Sequence, residues 1–228
     1  MEVGMNILIT GANRGIGLGF VKHYLAGGND VWACYRSDRG GLVDIKNPKL
    51  HEVRWDVRED QGRDFPDRAG IPARLDVLIN NAGVYGGEKQ SLADVTPKDM
   101  LETFDINCVS PLRVVKLLWP RVAQAKGVIA NMSSKMGSSA DNSSGGYYAY
   151  RASKAALVIV SKSLAVDLGD HGIHVITLHP GWVRTDMTDH TGLIDVSQSV
   201  AGLARVIARA GDYAPGAFVA YDGTEIPY

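Results

Sequence analysis

The chain has 228 residues, 45% of them apolar and 21% charged, and a net charge of −1. That is enough apolar material for one sizeable core, while the near-neutral balance gives no field to attract nucleic acid or an anionic membrane surface, so neither is expected as a partner. No apolar run is long enough to span a bilayer, the first six residues lack a basic region leading into an apolar segment, and Cys34 and Cys108 are isolated thiols in apolar stretches, all of which predicts a cytoplasmic protein with reduced cysteines.

Residues 5–10 are a short apolar run suited to a buried strand, and they lead directly into Gly11-Ala12-Asn13-Arg14-Gly15-Ile16-Gly17. A helical pattern follows in Ile16, Phe20, Val21, Tyr24 and Leu25. Glycines at 11, 15 and 17 between a strand and a helix let backbone N–H groups approach a pyrophosphate at the helix N-terminus. The order strand, glycines, helix carries this reading, because a glycine triplet alone is usually an ordinary turn. A second strand is expected over 30–35. Where an NAD-preferring site carries Asp or Glu on the ribose 2′-hydroxyl, this chain has Tyr35 and Arg36. Arg36 and Arg14 are therefore candidates to pair with the 2′-phosphate of NADP, with NAD the less favoured cofactor; Asp38 nearby argues the other way.

Residues 50–55 read as a third strand that ends at Asp56 and Val57, and the polar stretch 58–74, with Pro66 and Pro72, predicts a short crossover. A fourth strand at 75–80 opens onto Asn81-Ala82-Gly83, and 84–98 reads as a loop. Helical periodicity runs from 97 to 122 with a kink expected at Pro111. A fifth strand, 127–132, ends at Ser133-Ser134, and the Ser- and Gly-rich stretch 135–146 is a loop.

The next helix sets Tyr150 four residues before Lys154, on one face. A neighbouring ammonium favours the phenolate, so the expected effect is a lowered phenol pKa and a proton donor for an alcohol or ketone oxygen. Tyr147 and Tyr148 have Arg151 and Ala152 at the matching position and are poorer candidates. A sixth strand is expected at 173–178, a polar and mobile-looking stretch at 188–198, a last helix at 200–209 and a seventh strand at 216–221. Alternation of strands and helices implies parallel pairing with right-handed crossovers. The predicted fold is one α/β domain over 1–228, a doubly wound, seven-stranded parallel Rossmann sheet in a three-layer α/β/α arrangement. The six histidines lack ligand spacing, so no metal is expected.

Taken in order, Thr10-Gly11-x-x-x-Gly15-x-Gly17, Asn80-Asn81-Ala82-Gly83, Asn107, Ser134, Tyr150-x-x-x-Lys154 and Pro180-Gly181 resemble the short-chain dehydrogenase/reductase family. Within it the chain is similar to the compact carbonyl-reductase-like, C-signal-like group, which shares an Asp-Gly-Thr-Glu segment, here Asp222 to Glu225. The resemblance implies an oxidoreductase acting on a small carbonyl or alcohol, with Tyr150 as acid, Lys154 lowering its pKa and holding the nicotinamide ribose, Ser134 bonding the substrate carbonyl, and Asn107 holding a water of a proton relay. It further implies NADP(H) contacts from Gly11, Asn13, Arg14, Gly15, Ile16, Gly17 and Arg36, from Asp56 and Val57 at the adenine, from Asn80, Asn81, Ala82 and Gly83, from Tyr150 and Lys154, and from Pro180, Gly181, Val183 and Thr185. Ser133 and Ser138 are alternatives to Ser134. Residues 184–198 are read as a lid, with Met136, Trp182, Met187 and Leu193 as an apolar wall. The helix after Lys154 is apolar nearly all round, and the family's use of it between subunits implies a homodimer or homotetramer. The alternative from another class is an NADPH-binding sensor or signalling protein with little turnover, which would have no chemical reason to keep Ser134, Tyr150, Lys154 and Asn107.

Overall fold

Short apolar runs such as Asn6–Ile9 have both faces covered, with Ile7 and Ile9 on one side and Leu8 on the other, all fully buried. Such strands belong in the middle of a parallel sheet. The computed structural model describes residues 4–87 and 89–228. It places β1 (Asn6–Ile9), β2 (Asp30–Tyr35), β3 (Leu50–Arg54), β4 (Val77–Asn80), β5 (Val128–Met132), β6 (His174–His179) and β7 (Phe218–Ala220) in one parallel sheet of order β3-β2-β1-β4-β5-β6-β7. The helices are α1 (Gly15–Ala26), α2 (Phe65–Arg68), α3 (Pro97–Phe104), α4 (Ser110–Ala123), α5 (Tyr148–Gly169) and α6 (Val196–Ala208).

Two cores follow from the two faces. Ile7 and Ile9 pack with Phe20 and Val21 of α1 and with Leu203 and Ile207 of α6. Leu8 and Leu78 pack with Val115 and Leu118 of α4 and with Leu164 and Leu168 of α5. Each fully buried Leu, Ile or Phe contributes about 1.5–3 kcal/mol, so both helix layers are held by burial. The strand order reverses between β1 and β4, and a cleft outside the carboxyl ends of the strands at such a point is where this architecture takes ligands.

Three expectations gain detail or need correction. The helix expected over 97–122 is interrupted by a π-helical turn, Asp105–Val109, between α3 and α4. The backbone is helical on both sides of this turn, and the turn is centred on Asn107, four residues before Pro111, whose missing N–H and ring disturb the bond to that carbonyl; the distortion thus falls where the proline predicts a kink, and takes the form of a wide turn. The stretch 188–198 is structured: Val183 and Ile194 form a parallel bridge, Arg184 N–H donates to Ile194 O at 2.9 Å, and Asp195 caps α6 through the Gln198 N–H at 2.8 Å. The last helix therefore begins at Val196, four residues earlier than expected. Between β3 and β4 the only helical segment in the region 58–74 is the single turn α2, in keeping with the short crossover expected there.

Candidate active site

α1 begins at Gly15, its N-cap Arg14 is extended, no side chain caps its first turn, and that turn holds no acid. Backbone donors at the positive end of a helix dipole suit a diphosphate. The three glycines divide the work. A Cβ on Gly15, whose φ is +53°, would meet nothing nearer than the Thr185 methyl at 3.6 Å, so this residue borders open space. A Cβ on Gly17 would lie 2.1 Å from the Gly11 carbonyl oxygen and 2.6 Å from Asn81 Nδ2, so this glycine serves close packing. The turns after β1 and β4 interlock there. Asn81 Nδ2 donates to the carbonyls of Thr10 and Gly11 at 3.1 and 3.0 Å, while Thr10 Oγ1 accepts from the N–H groups of Asn81 and Ala82 at 3.0 and 3.1 Å. This cradle fits a nicotinamide dinucleotide.

A second cleft lies along β2 and β3. Arg36, Ser37, Arg54, Trp55, Asp56, Glu59 and Gln61 line this cleft of about 350 Å³. Arg58 beside Asp56 holds its carboxyl below the usual carboxylate range. Val57 is buried, and its carbonyl accepts from Arg113 Nη1 at 3.3 Å. Asp38, the acid that weakened the NADP reading, has its Oδ1 engaged by Gly40 N–H at 3.0 Å, and Asn13 Nδ2 donates to its carbonyl at 3.0 Å. Arg14 reaches instead to Asp186, 3.9 Å away. The side chain of Asn80 is buried and donates to Asn131 Oδ1 at 2.9 Å, so it joins β4 to β5 rather than facing the cleft. Ile16 packs against the core formed with α1 and α6. Pro180 accepts from Ser199 Oγ at 2.6 Å, Gly181 has a φ of +84°, and Val183 is buried.

The reacting groups converge from α5, β5 and the π turn. Tyr150 and Lys154 occupy the buried stripe of α5, and Lys154 Nζ lies 5.7 Å from the Tyr150 ring centroid while donating to Met132 O at 2.9 Å. Burial brings Lys154 down to about 8, with the Cys108 thiol pulling weakly the other way. The expected depression of the Tyr150 pKa is not what the geometry yields: burial pushes the phenol up, and the Ser134 hydroxyl beside it opposes that rise. Removal from water is the larger influence on the phenol, and the Lys154 ammonium directs its hydrogen bond to the Met132 carbonyl.

The three candidate serines separate by their bonds. Ser133 Oγ donates to Lys154 O at 2.9 Å and Ser138 Oγ to Pro227 O at 2.6 Å, whereas Ser134 faces the phenol and accepts from Met136 N–H at 3.2 Å. Asn107 is fully buried. Its Oδ1 accepts from Val84 N–H at 2.9 Å, and its Nδ2 donates to Val84 O at 2.9 Å and Ser153 Oγ at 3.0 Å. Both amide hydrogens are thus engaged, and the side chain clasps the backbone beyond Gly83; at most one lone pair of Oδ1 remains to a water.

A glycine cradle at the switch point, with Ser134, Tyr150 and Lys154 in one buried cluster beside it, has counterparts of known class. The family model for short chain dehydrogenases matches residues 5–193. The chain belongs to the short-chain dehydrogenase/reductase family. It is 45% identical to the C-signal of Myxococcus xanthus over 155 residues, 68% of this chain and 93% of the relative. The carbonyl reductase Sniffer of D. melanogaster superposes with a TM-score of 0.93 at 34% identity, covering 99% of this chain and 100% of that one. An NADPH-bound carbonyl reductase from chicken fatty liver gives 0.87 at 32% identity, covering 99% and 100%. This short-chain dehydrogenase/reductase is accordingly a C-signal-like member and an oxidoreductase of CH–OH and C=O groups.

Four residues of the site have no signal in the sequence. Arg54 joins Arg36 because the β2–β3 register sets it opposite Tyr35. Ser153 Oγ links Asn107 to the Tyr150 carbonyl, to which it donates at 2.8 Å. The Tyr85 ring lies 4.8 Å from that of Tyr150. Gln90 is buried between loop and helix. Spacing along the chain reports neighbours within one element, and all four contacts join different elements or act through a partner elsewhere.

Proposed function

We propose that this enzyme reduces a ketone or aldehyde to an alcohol, reversibly, with NADP(H) preferred over NAD(H). The observation that carries the reading is the buried grouping of the Tyr150 phenol, the Ser134 hydroxyl and the Lys154 ammonium beside a dinucleotide cradle. These residues would hold a reduced nicotinamide, which when bound would supply the hydride for the carbonyl carbon. Ser134 donates a hydrogen bond to the carbonyl oxygen, and Tyr150 gives its phenolic proton to that oxygen. Lys154 stabilises the phenolate left behind. Asn107 holds the Gly83–Val84 backbone against the site. Arg36, Ser37 and Arg54 would receive the 2′-phosphate, and Thr185 and Pro180-Gly181 the nicotinamide end.

NADPH oxidation across aldehydes, aliphatic and aromatic ketones, diketones and quinones tests the reading, followed from about pH 6 to about pH 10. At least one carbonyl should be reduced. Lys154 titrates near 8 and is cationic below that value, while the buried phenol keeps its proton throughout. The reduction rate should therefore fall as pH rises through about 8; a rate that stays level across this range would remove Lys154 from the role. A second reading, an NADPH-binding signalling protein with little turnover, is supported by the similarity to a protein named C-signal. NADPH binding with no carbonyl reduced would favour it.

The assembly is proposed as a homodimer or homotetramer. Ile159 and Val166 on α5 and Leu101 on α3 are 62%, 68% and 71% exposed, and apolar side chains left open on neighbouring helices suit a subunit contact. Sedimentation at micromolar concentration should give a multiple of the chain mass; a monomer would overturn this.

A further inference from the structure

The catalytic helix lacks a local cap. α5 starts at Tyr148 after Tyr147, whose φ of +52° is left-handed and whose side chain caps nothing. Tyr150 is thus the third residue of the helix, and its N–H is one of the orphan donors of the first turn. Gln90, sixty residues earlier, supplies the missing acceptor: its Oε1 takes the Tyr150 N–H at 3.0 Å. The same side chain works in the other direction. Gln90 Nε2 donates to Tyr85 O at 2.7 Å and to Gly87 O at 3.2 Å, so both amide hydrogens and one oxygen lone pair are engaged in a side chain only 5% exposed. The loop closes tightly around it. Gly86 has a φ of +95°, and a Cβ there would stand 3.2 Å from Gln90 Nε2 and 2.8 Å from Thr103 Oγ1.

The loop held in this way carries Tyr85, whose ring lies 4.8 Å from the Tyr150 ring and 5.6 Å from that of Tyr147. Burial and the two neighbouring phenols push the Tyr85 phenol up to about 12, so this ring stays neutral against the reacting one. We propose that Gln90 is a positioning residue for proton transfer, an N-terminal cap supplied from a distant loop that sets the backbone of Tyr150 and clamps the Tyr85 ring onto it. This rests on the role of Tyr150 proposed above. A buried amide joining two backbones is suited to the task because its planar donors and acceptor are fixed at both ends, whereas an apolar residue would leave one N–H and two carbonyls without partners.

The test compares Gln90→Met, which matches the size and removes all three bonds, with Gln90→Glu, which keeps an acceptor for the Tyr150 N–H but sets a carboxyl oxygen against the Tyr85 and Gly87 carbonyls. The readouts are kcat and KM for the best-reduced carbonyl of the panel, the pH profile of kcat, NADPH affinity by fluorescence, and Tm. Misplacement of an acid by a fraction of an ångström to one ångström costs up to about a hundredfold. Gln90→Met should lower kcat about tenfold to a hundredfold and move the pH profile, with NADPH affinity within about twofold, and Gln90→Glu should lower kcat as well, because both donors to the loop carbonyls are gone. The inference is overturned if Gln90→Met has wild-type kcat and pH profile, or if Gln90→Glu, which removes the clamp on the loop, has wild-type kcat. Tyr150→Phe run in parallel separates the two failures. If Tyr150→Phe is inactive while Gln90→Met equals wild type, only the role of Gln90 falls; if Tyr150→Phe retains full activity, or no carbonyl is reduced, the underlying reading falls and this inference with it.

Discussion

Tyr150→Phe should lower the rate of carbonyl reduction by about a hundredfold to ten-thousandfold, the usual share of a general acid, while NADPH affinity and Tm stay close to wild type. The substitution removes one oxygen and leaves the ring, so the packing of Tyr85 against position 150 persists. The helix cap from Gln90 is made to the backbone N–H and also survives. What is lost is the phenol that faces Ser134 with Lys154 four residues along the same helix face. Burial raises the phenol pKa, which makes Tyr150 a weak acid in isolation. Its strength in the reaction then depends on Ser134 and Lys154, so single-turnover rates for Ser134→Ala and Tyr150→Phe together should be far less than additive. Wild-type activity in Tyr150→Phe would remove the acid from the mechanism altogether.

Arg36→Asp should move the ratio of NADPH to NADH affinity by roughly a hundredfold towards NADH, since each charge-assisted hydrogen bond contributes about 1.5–3 kcal/mol and the new carboxylate repels a 2′-phosphate while accepting from a 2′-hydroxyl. The cleft along β2 and β3 is lined by Arg36, Ser37 and Arg54, and the acid nearest in sequence, Asp38, is engaged by the Gly40 amide. Arg14, which reaches towards Asp186 instead, should matter less: Arg14→Ala is expected to change the ratio by less than Arg36→Asp does. Affinities measured by fluorescence titration of both cofactors check the pair. An unchanged ratio in Arg36→Asp would put the phosphate elsewhere.

Much of this protein was legible in one dimension. Most of the seven strands are short apolar runs bounded by turn-forming residues, and their alternation with helical patterns leaves a doubly wound parallel sheet as the simplest outcome. Gly11, Gly15 and Gly17 sit at a strand end, and Tyr150 and Lys154 share a helix face, because these spacings are set by local backbone geometry. Where the reading missed, the determinant was long-range. The wide turn at 105–109 falls one turn before Pro111, as the proline predicts, but that it holds Asn107 against Val84 on the β4 loop is set by a contact 23 residues away. The side chain of Asn80 is turned towards Asn131 on the adjacent strand, a partner 51 residues away.

The sequence alone determined the architecture, the glycine turn between β1 and α1 and the placing of Tyr150 and Lys154 on one helix face, since each depends on residues within about one helical turn or one strand end of one another. The tertiary structure alone decided which serine faces the phenol, that Arg54 stands beside Arg36, that Gln90 caps the catalytic helix, and that burial rather than the lysine dominates the Tyr150 pKa. The reason is physical. Desolvation depends on every element packed around a group, and a hydrogen bond such as that between Gln90 and Tyr150 spans sixty residues, a separation that no periodicity along the chain records.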